Sequence, residues 1–478
     1  MGWNDRKAGG KVGDVAGLEA AARVVAAGGR VPKRFAKARP VSAGPTLGAA
    51  AATAKITPAR RVAFEILTLV EEGKGHSDEL LHGVRMEELL DADKHLATAL
   101  VMGVLRWQIA LDGKVRGLLE RPGQSVPEPV ALVLRMGAFQ LLHMDRIPAH
   151  AALSESVEMA RAAGHPHAAG MVNAILRKVA AGRKAGVGTA ESGERVADER
   201  VLEAGAAFAE RLGHPRWMVE RWVARYGQEA ALKICEADQR EPAAGGLFAV
   251  GPEGLPHMDD GSRLVAEIAA AAMPEVAGRA ARVWDCCAAP GGKTLVLALR
   301  ATSLPSRPEV LATDVSAKRM KGMEARMRRY PYAARVKTAV ADATSMPEDT
   351  GEFDLILCDV PCSGTGTLGR NPEIRLRLRP EELVRQAERQ RGILGGALQR
   401  LAPGGRLVYS TCSLEPEENE AVVEAVADGW RRVPLGALLE RVPGLREGAA
   451  GMVQGETLRT LPGVHPCDGF YAVVLERA

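Results

Sequence analysis

The chain of 478 residues has no cysteine before Cys235 and seven in all. The number is odd and two of them, Cys286 and Cys287, are adjacent, which makes a poor disulfide framework. No CxxC pair or Cys/His group has zinc spacing, so no metal is expected. Free thiols in a reducing compartment are the simplest reading. Long apolar runs are also missing. No stretch of roughly 18 uncharged apolar residues occurs, which argues against a transmembrane helix. The opening MGWNDRKAGGKVGD carries acids and glycines where a signal peptide has an apolar stretch, so a cytoplasmic location is expected. Aromatic residues are 4% of the chain, which leaves few candidates for stacking on bases.

What is present is ordinary globular material: 46% hydrophobic and 26% charged residues. The length exceeds one domain of ~100–200 residues, so two or three folded units are expected. The net charge of +4 is compatible with nucleic acid without proving it. Residues 1–55 concentrate that charge, with ten basic residues against three acids and little to build a core. They read as a flexible basic arm, serving either RNA contact or solubility. From Thr57-Pro58 an all-α domain is expected over 56–181. Thr57 can cap, Pro58 suits the first turn, and Val62, Ile66, Leu69 and Val70 mark one helical face. Residues 182–204 have linker composition. Helical pattern resumes near Pro215 with Trp217, Met218, Trp222 and Val223, within a small lobe expected over 205–275.

Over 276–478 short apolar runs alternate with helical segments, which implies βαβ units and a parallel sheet. The expected strands are Arg282–Cys287, Val310–Ala312, Val336–Val340, Phe353–Cys358 and Arg406–Tyr409. Special turns follow them. Asp285-Cys286-Cys287-Ala288-Ala289-Pro290-Gly291-Gly292-Lys293-Thr294 follows a strand and opens a helix. Its small residues let backbone approach a ligand, though a plain tight turn would read the same. Asp314, about 20 residues on, is placed for a ribose diol. Asp342 ends the next strand. Each acid alone fits a helix cap; the ordered series favours a ligand crevice. Asp359-Val360-Pro361-Cys362-Ser363-Gly364 and Thr411-Cys412-Ser413 end two more strands, so an acid and two thiols stand where α/β proteins place their sites. A lone cysteine would be structural by habit.

CAAPGGKT, the Asp314-Val315-Ser316 turn, DVPCSGTGTLGRNPEIR and LVYSTCS together resemble the RsmB/Sun/NSUN family of RNA 5-methylcytosine methyltransferases. The likeness runs from about 284 to the carboxyl end, where HPCDGFY resembles the family's terminal strand. The helical region is similar to a NusB-like RNA-binding domain, through Met144-Asp145-Arg146-Ile147-Pro148-Ala149-His150-Ala151 and Val172-Asn173-Ala174-Ile175-Leu176-Arg177. That pairing points within the family to the bacterial Sun/Fmu type acting on 16S ribosomal RNA. The implied fold is a Rossmann-like α/β methyltransferase domain preceded by an all-α NusB-like domain. The implied cofactor is S-adenosylmethionine and the implied partner RNA.

Chemically, a thiolate adding to carbon 6 of cytosine makes carbon 5 nucleophilic enough to take a methyl group. An acid near N3 would stabilise the adduct. Spacing does not say which cysteine attacks. The resemblance implies Cys412 as nucleophile, Cys362 in release of the product, and Asp359 at the target base and cofactor. It implies Cys287, Ala288, Ala289, Pro290, Gly291, Gly292 and Lys293 as the cofactor loop. Asp314 would take the ribose and Asp342 the adenine edge, with Arg319 near the cofactor. Lys293 would add positive charge or form a structural ion pair. Arg370, Arg375, Arg377 and Arg379 cluster beside the active-site turn against Glu373, as phosphate contacts or a solvated helix face.

The chain departs from the family after Gln239-Arg240-Glu241-Pro242, where the lobe reads as truncated, with the next helix near Asp260-Gly261-Ser262. Gly369 stands where Arg is common and Leu376 where Trp is common. Alternatives to the 16S reading are a tRNA or DNA cytosine-5 methyltransferase, a non-catalytic RNA-binding assembly factor, or a small-molecule methyltransferase. A monomer is expected.

Overall fold

The computed structural model describes residues 55–121, 123–184, 205–242, 246–249, 254–446 and 449–477. The expected basic arm (except Lys55) and the expected linker (except its first three residues) lie outside them. Among the described residues no helix is long and apolar enough to cross a membrane.

The first helices are α1 (Pro58–Glu71), α2 (Ser77–Leu81), α3 (Val84–Glu87), α4 (Asp91–Arg116), α5 (Glu128–His143), α6 (Ala149–Ala162) and α7 (Ala169–Lys184). Pro58 opens α1, but Thr57 does not cap with its side chain. Its N–H and hydroxyl both donate to Glu155 Oε2 at 2.8 Å, tying α1 to α6. α5 is buried almost throughout, because α4, α6 and α7 pack around it. Two of its polar residues have partners. Gln140 accepts from Arg60 Nε at 2.7 Å, and Arg135 forks onto Asp112.

Three helices follow: α8 (Gly205–Arg211), α9 (Arg216–Tyr226) and α10 (Gln228–Asp238). Met218, Trp222, Ile234 and Cys235 bury themselves against Leu368, Leu378, Leu414 and Leu461. These helices therefore share a core with the turns after two strands of the sheet.

The α/β half begins with α11 (Asp260–Ala271), where the sequence placed it, capped by Asp259. It continues through β1 (Arg282–Asp285), α12 (Gly292–Ser303), β2 (Glu309–Asp314), α13 (Ala317–Met327), β3 (Lys337–Val340) and β4 (Phe353–Asp359). Then come α14 (Ile374–Arg377), α15 (Pro380–Leu398), β5 (Leu401–Thr411), α16 (Glu420–Val426), β6 (Arg431–Arg432), α17 (Gly436–Leu439), β7 (Val453–Gln454), β8 (Thr457–Arg459) and β9 (Tyr471–Glu476). The sheet order is β3-β2-β1-β4-β5-β9-β8-β7, with β6 beside β9. β1 to β5 pair in parallel, while β9 runs antiparallel to β5.

Side-chain alternation of period two divides the core. Val283, Leu355, Leu357, Val408 and Val474 face α11 and α12. Trp284, Ile356, Cys358, Leu407, Tyr409 and Val473 face α15 and α16. Strand order reverses between β1 and β4, and α/β proteins open their ligand crevice at such a switch point, at the carboxyl ends of the strands. Two sequence expectations shift. β5 begins at Leu401 rather than Arg406, because Leu401 already pairs with Phe353 and residues 402–405 bulge out before Arg406 pairs with Leu355. HPCDGF precedes β9 as a loop rather than forming it.

Candidate active site

β1 and β4 deliver the two central turns. After β1, Gly291 takes φ +97°, a conformation in which an L side chain is strained; a Cβ there would also meet Met323 at 2.8 Å. That twist starts α12 at Gly292, so its free N–H groups face the crevice. Asp285 lies wholly buried under the turn and accepts from the Thr294 hydroxyl at 2.6 Å. Burial pushes its carboxyl up to about 7. His257, Met258, Ser262 and Arg326 share this crevice with Asp285, Lys293, Asp359 and residues 287–290 and 292. None of those four belongs to a motif that marked it as a crevice residue.

Asp314, at the end of β2, accepts from Ser316 N–H at 2.9 Å and pairs with Arg319 at 3.0 Å. Arg319 also donates to the Ala289 carbonyl, so it links the second strand end to the loop after the first. Asp342 is exposed and caps the short turn after β3, accepting from Thr344 N–H and hydroxyl. That turn holds its carboxyl below the usual range.

Asp359 ends β4. One oxygen meets Lys293 Nζ at 2.7 Å and the other accepts from the Ser410 hydroxyl at 2.8 Å. Burial works against the Lys293 charge, but the Asp359 carboxylate outweighs it and the ammonium shifts upward. The two readings of Lys293 thus merge: it is an ion pair, and it stands in the crevice. Cys362 Sγ lies 3.3 Å from Cys412 Sγ, and both residues are half-buried. The contact with Cys412, then burial, pushes the Cys362 thiol well above its ordinary value, so it holds its proton. The sulfur of Cys287 is likewise raised, by its contact with Cys286 and by burial. It suits a loop wall, not a nucleophile.

Three backbone contacts seal the thiol turns. Val360 N–H donates to Ser410 O, Gly366 N–H to Cys412 O at 2.9 Å, and Gly469 N–H to Gly366 O at 2.8 Å. A Cβ on Gly366 would lie 2.2 Å from Gly469 O, so only glycine allows this approach.

A family model described as 16S rRNA methyltransferase RsmB/F matches residues 277–476, and a NusB family model matches 57–181. The probable ribosomal RNA small subunit methyltransferase B of Bacillus subtilis is 30% identical over 87% of this chain and 98% of its own. The enzyme of that name from Salmonella arizonae is 30% identical over 84% of this chain and 94% of its own. The chain belongs to the RsmB/F methyltransferase family. The crystal structure of PH0851 shares its fold, with a TM-score of 0.63 at 22% identity over 88% of this chain and 99% of that one.

The RsmB/F chain uses its arginine cluster differently from the expectation. Arg375 is 1% exposed and donates to the carbonyls of Arg106, Gly213, Asp238 and Leu368, so it is closed to phosphate. Arg370 spans Asp468 at 2.7 Å and Asp259 at 3.1 Å. Arg377 donates to the carbonyls of Val70 and Gly75 in the helical domain. Glu373 is buried too, and receives Ser77 N–H and hydroxyl. Arg106 in turn holds the Gly369 carbonyl at 2.8 Å. The segment clamps the helical domain to the active-site turn. Arg379 alone of the four stands exposed, with one long bond to Leu376 O.

Proposed function

We propose that this chain transfers a methyl group from S-adenosylmethionine to carbon 5 of a cytosine in small-subunit (16S) ribosomal RNA, through a covalent bond between Cys412 and carbon 6. The observation that carries the reading is the thiol pair at 3.3 Å beside the Lys293–Asp359 ion pair. The substrate class comes from the names of the relatives above.

The residues around the crevice fit the cofactor. Ala288, Ala289, Pro290 and Gly292 line it without bulk, and Asp314 and Asp342 end the next two strands. Asp314 would hold the ribose hydroxyls and Asp342 the adenine edge, with Arg319 steadying the loop. Bound there, S-adenosylmethionine supplies an electrophilic methyl group. Everything else is the work of the chain. Cys412 attacks carbon 6, and the ring's electrons move toward N3 and carbon 5. Asp359, paired with Lys293, holds a proton or hydrogen bond at N3. Protonated Cys362 can donate its S–H to the Cys412 sulfur. Once Cys412 is bonded to carbon 6 and carries no charge, Cys362 gives up its proton to solvent. The resulting thiolate takes the proton from carbon 5 while the Cys412–carbon 6 bond breaks, restoring the ring and releasing Cys412 as a thiolate.

The test is methyl transfer from labelled S-adenosylmethionine to deproteinised small-subunit ribosomal RNA, with nucleoside analysis. Label should appear in 5-methylcytidine and vanish in Cys412→Ala, while Cys362→Ala should accumulate a protein–RNA complex stable to denaturation. Cofactor binding without label in that RNA would sink the substrate assignment. A trapped complex in Cys412→Ala would reverse the roles of the thiols.

A further inference from the structure

We propose that Glu418 is a positioning residue that sets the distance between the two active-site sulfurs. The proposal rests on the covalent-adduct reading above. Glu418 is fully buried in the turn before α16. Its Oε1 accepts from Ser363 N–H at 2.8 Å and from Gln390 Nε2 at 3.1 Å. Its Oε2 accepts from the hydroxyls of both Ser363 and Ser413. A carboxylate offers about four lone-pair sites, and these donors meet them all. None of the donors is a cation.

The partners explain the placement. Ser363 follows Cys362 and Ser413 follows Cys412, so one carboxylate grips the residue beside each sulfur. Gln390, reaching from α15, also donates to Pro361 O at 3.0 Å, and so brackets Cys362 from its other side. Asn419 does the same for Cys412: its amide donates to Ser413 O at 2.9 Å, and Thr411 Oγ1 donates to its Oδ1. Tyr409 OH fixes the Glu418 carbonyl at 2.6 Å. Two turns from separate strands, β4 and β5, are thereby locked to one acidic pivot.

A buried carboxylate without a cation is a costly way to fill a core. Here it lies between the neighbours of two sulfurs that must act in turn on adjacent atoms of one ring. Cys412 works at carbon 6 and Cys362 at carbon 5, so their separation has to hold to a fraction of an ångström.

The experiment pairs a proximity measurement with kinetics, using the full chain. Diamide removes two electrons and two protons from the Cys362–Cys412 pair to form a disulfide, and its rate is followed by peptide mass spectrometry. Single-turnover methylation and S-adenosylmethionine affinity are measured on the same preparations. Glu418→Ala should slow disulfide formation about 10-fold and methylation about 100-fold, with cofactor affinity held within about 3-fold. Glu418→Gln should lose much less. Its carbonyl can serve Ser363 N–H and Gln390, while the serine hydroxyls turn to accept from its amide.

If Glu418→Ala does not fold, Ser363→Ala and Ser413→Ala report instead, each slowing disulfide formation and methylation several-fold. Unchanged disulfide rates in the folded variants would overturn the proposal. So would equal losses of cofactor affinity and methylation, which mark a purely structural role. A wild-type chain that forms the disulfide but no 5-methylcytidine would sink the covalent-adduct reading alone.

Discussion

Residues 359–367 and residues 369–379 are neighbours in the chain, and both are rich in polar side chains. The first set places Asp359 in the crevice against Lys293, and Cys362 against Cys412. The second set turns Arg375, Arg377 and Glu373 toward the helical domain and small lobe, where carbonyls and Ser77 meet their hydrogen-bonding groups, Arg375 Nε excepted. Chemically the arginines are as fit for phosphate as the thiols are for attack. What separates the two segments is the partner each group already has. Arg370, Arg375 and Arg377 are held by backbone carbonyls and acids from distant elements and bind the fold together, whereas Asp359 and the thiols are paired with other reactive groups at the strand ends.

That contrast is broken most severely at Arg375. Its guanidinium is buried among carbonyl groups from the helical domain, the small lobe and the active-site turn. Burial lowers its pKa to about 10, which still leaves it charged at neutral pH. Arg375→Ala strands those carbonyls, and we expect a loss of about 3 kcal/mol of stability. Denaturant unfolding should show a lower midpoint with an unchanged slope. Native stability together with weakened RNA binding would restore the phosphate reading of this residue.

How much was legible follows from the same logic. The strand ends, the small-residue loop after β1 and both thiols announced themselves because each turn combines small residues with one reactive group at the close of an apolar run. Glu418 did not stand out among Glu415, Glu417 and Glu420, since an acid that accepts from two serines reads the same as an acid in water. Glu415 makes the point again: it is buried, receiving Arg221 and Trp222 Nε1. The inward turn of Arg375 and Arg377 was hidden because their acceptors lie far off in sequence, as with Arg377 and Val70. Lone backbone carbonyls leave no mark in a sequence. β5 was cut short because residues 402–405 bulge out between the Leu401 and Arg406 pairings with β4, so a proline-glycine turn signal sits inside a strand that continues on both sides.

A second, smaller effect probes the crevice. The Asp285 carboxyl sits near 7 in the folded chain against an ordinary 3.8, raised by burial. The native state therefore binds this proton more tightly than the unfolded chain. The stabilisation is complete below about pH 4 and drains away as pH rises through about 7. Asp285→Asn keeps an acceptor for the Thr294 hydroxyl but does not titrate. Its stability relative to wild type should rise as pH goes from about 4 to about 8. Parallel curves of Tm against pH would show that the carboxyl ionises at its ordinary value.

The smallest expected effect sharpens the comparison most. Arg379 belongs to the inward-turned segment by sequence but to the open surface by structure. Its single bond, to Leu376 O at 3.5 Å, holds little, so Arg379→Ala should change stability by less than about 0.5 kcal/mol. If this arginine neutralises one phosphate, the plot of log affinity against log salt for ribosomal RNA should flatten by about 0.7 to 0.9. Arg375→Ala, compared below its unfolding midpoint, should leave that slope where it was. The pair of substitutions thus separates two arginines four residues apart, one acting on the fold and one on the RNA. An unchanged slope in Arg379→Ala would make it a solvated helix-end charge, and phosphate contact would then have to come from basic residues outside this segment.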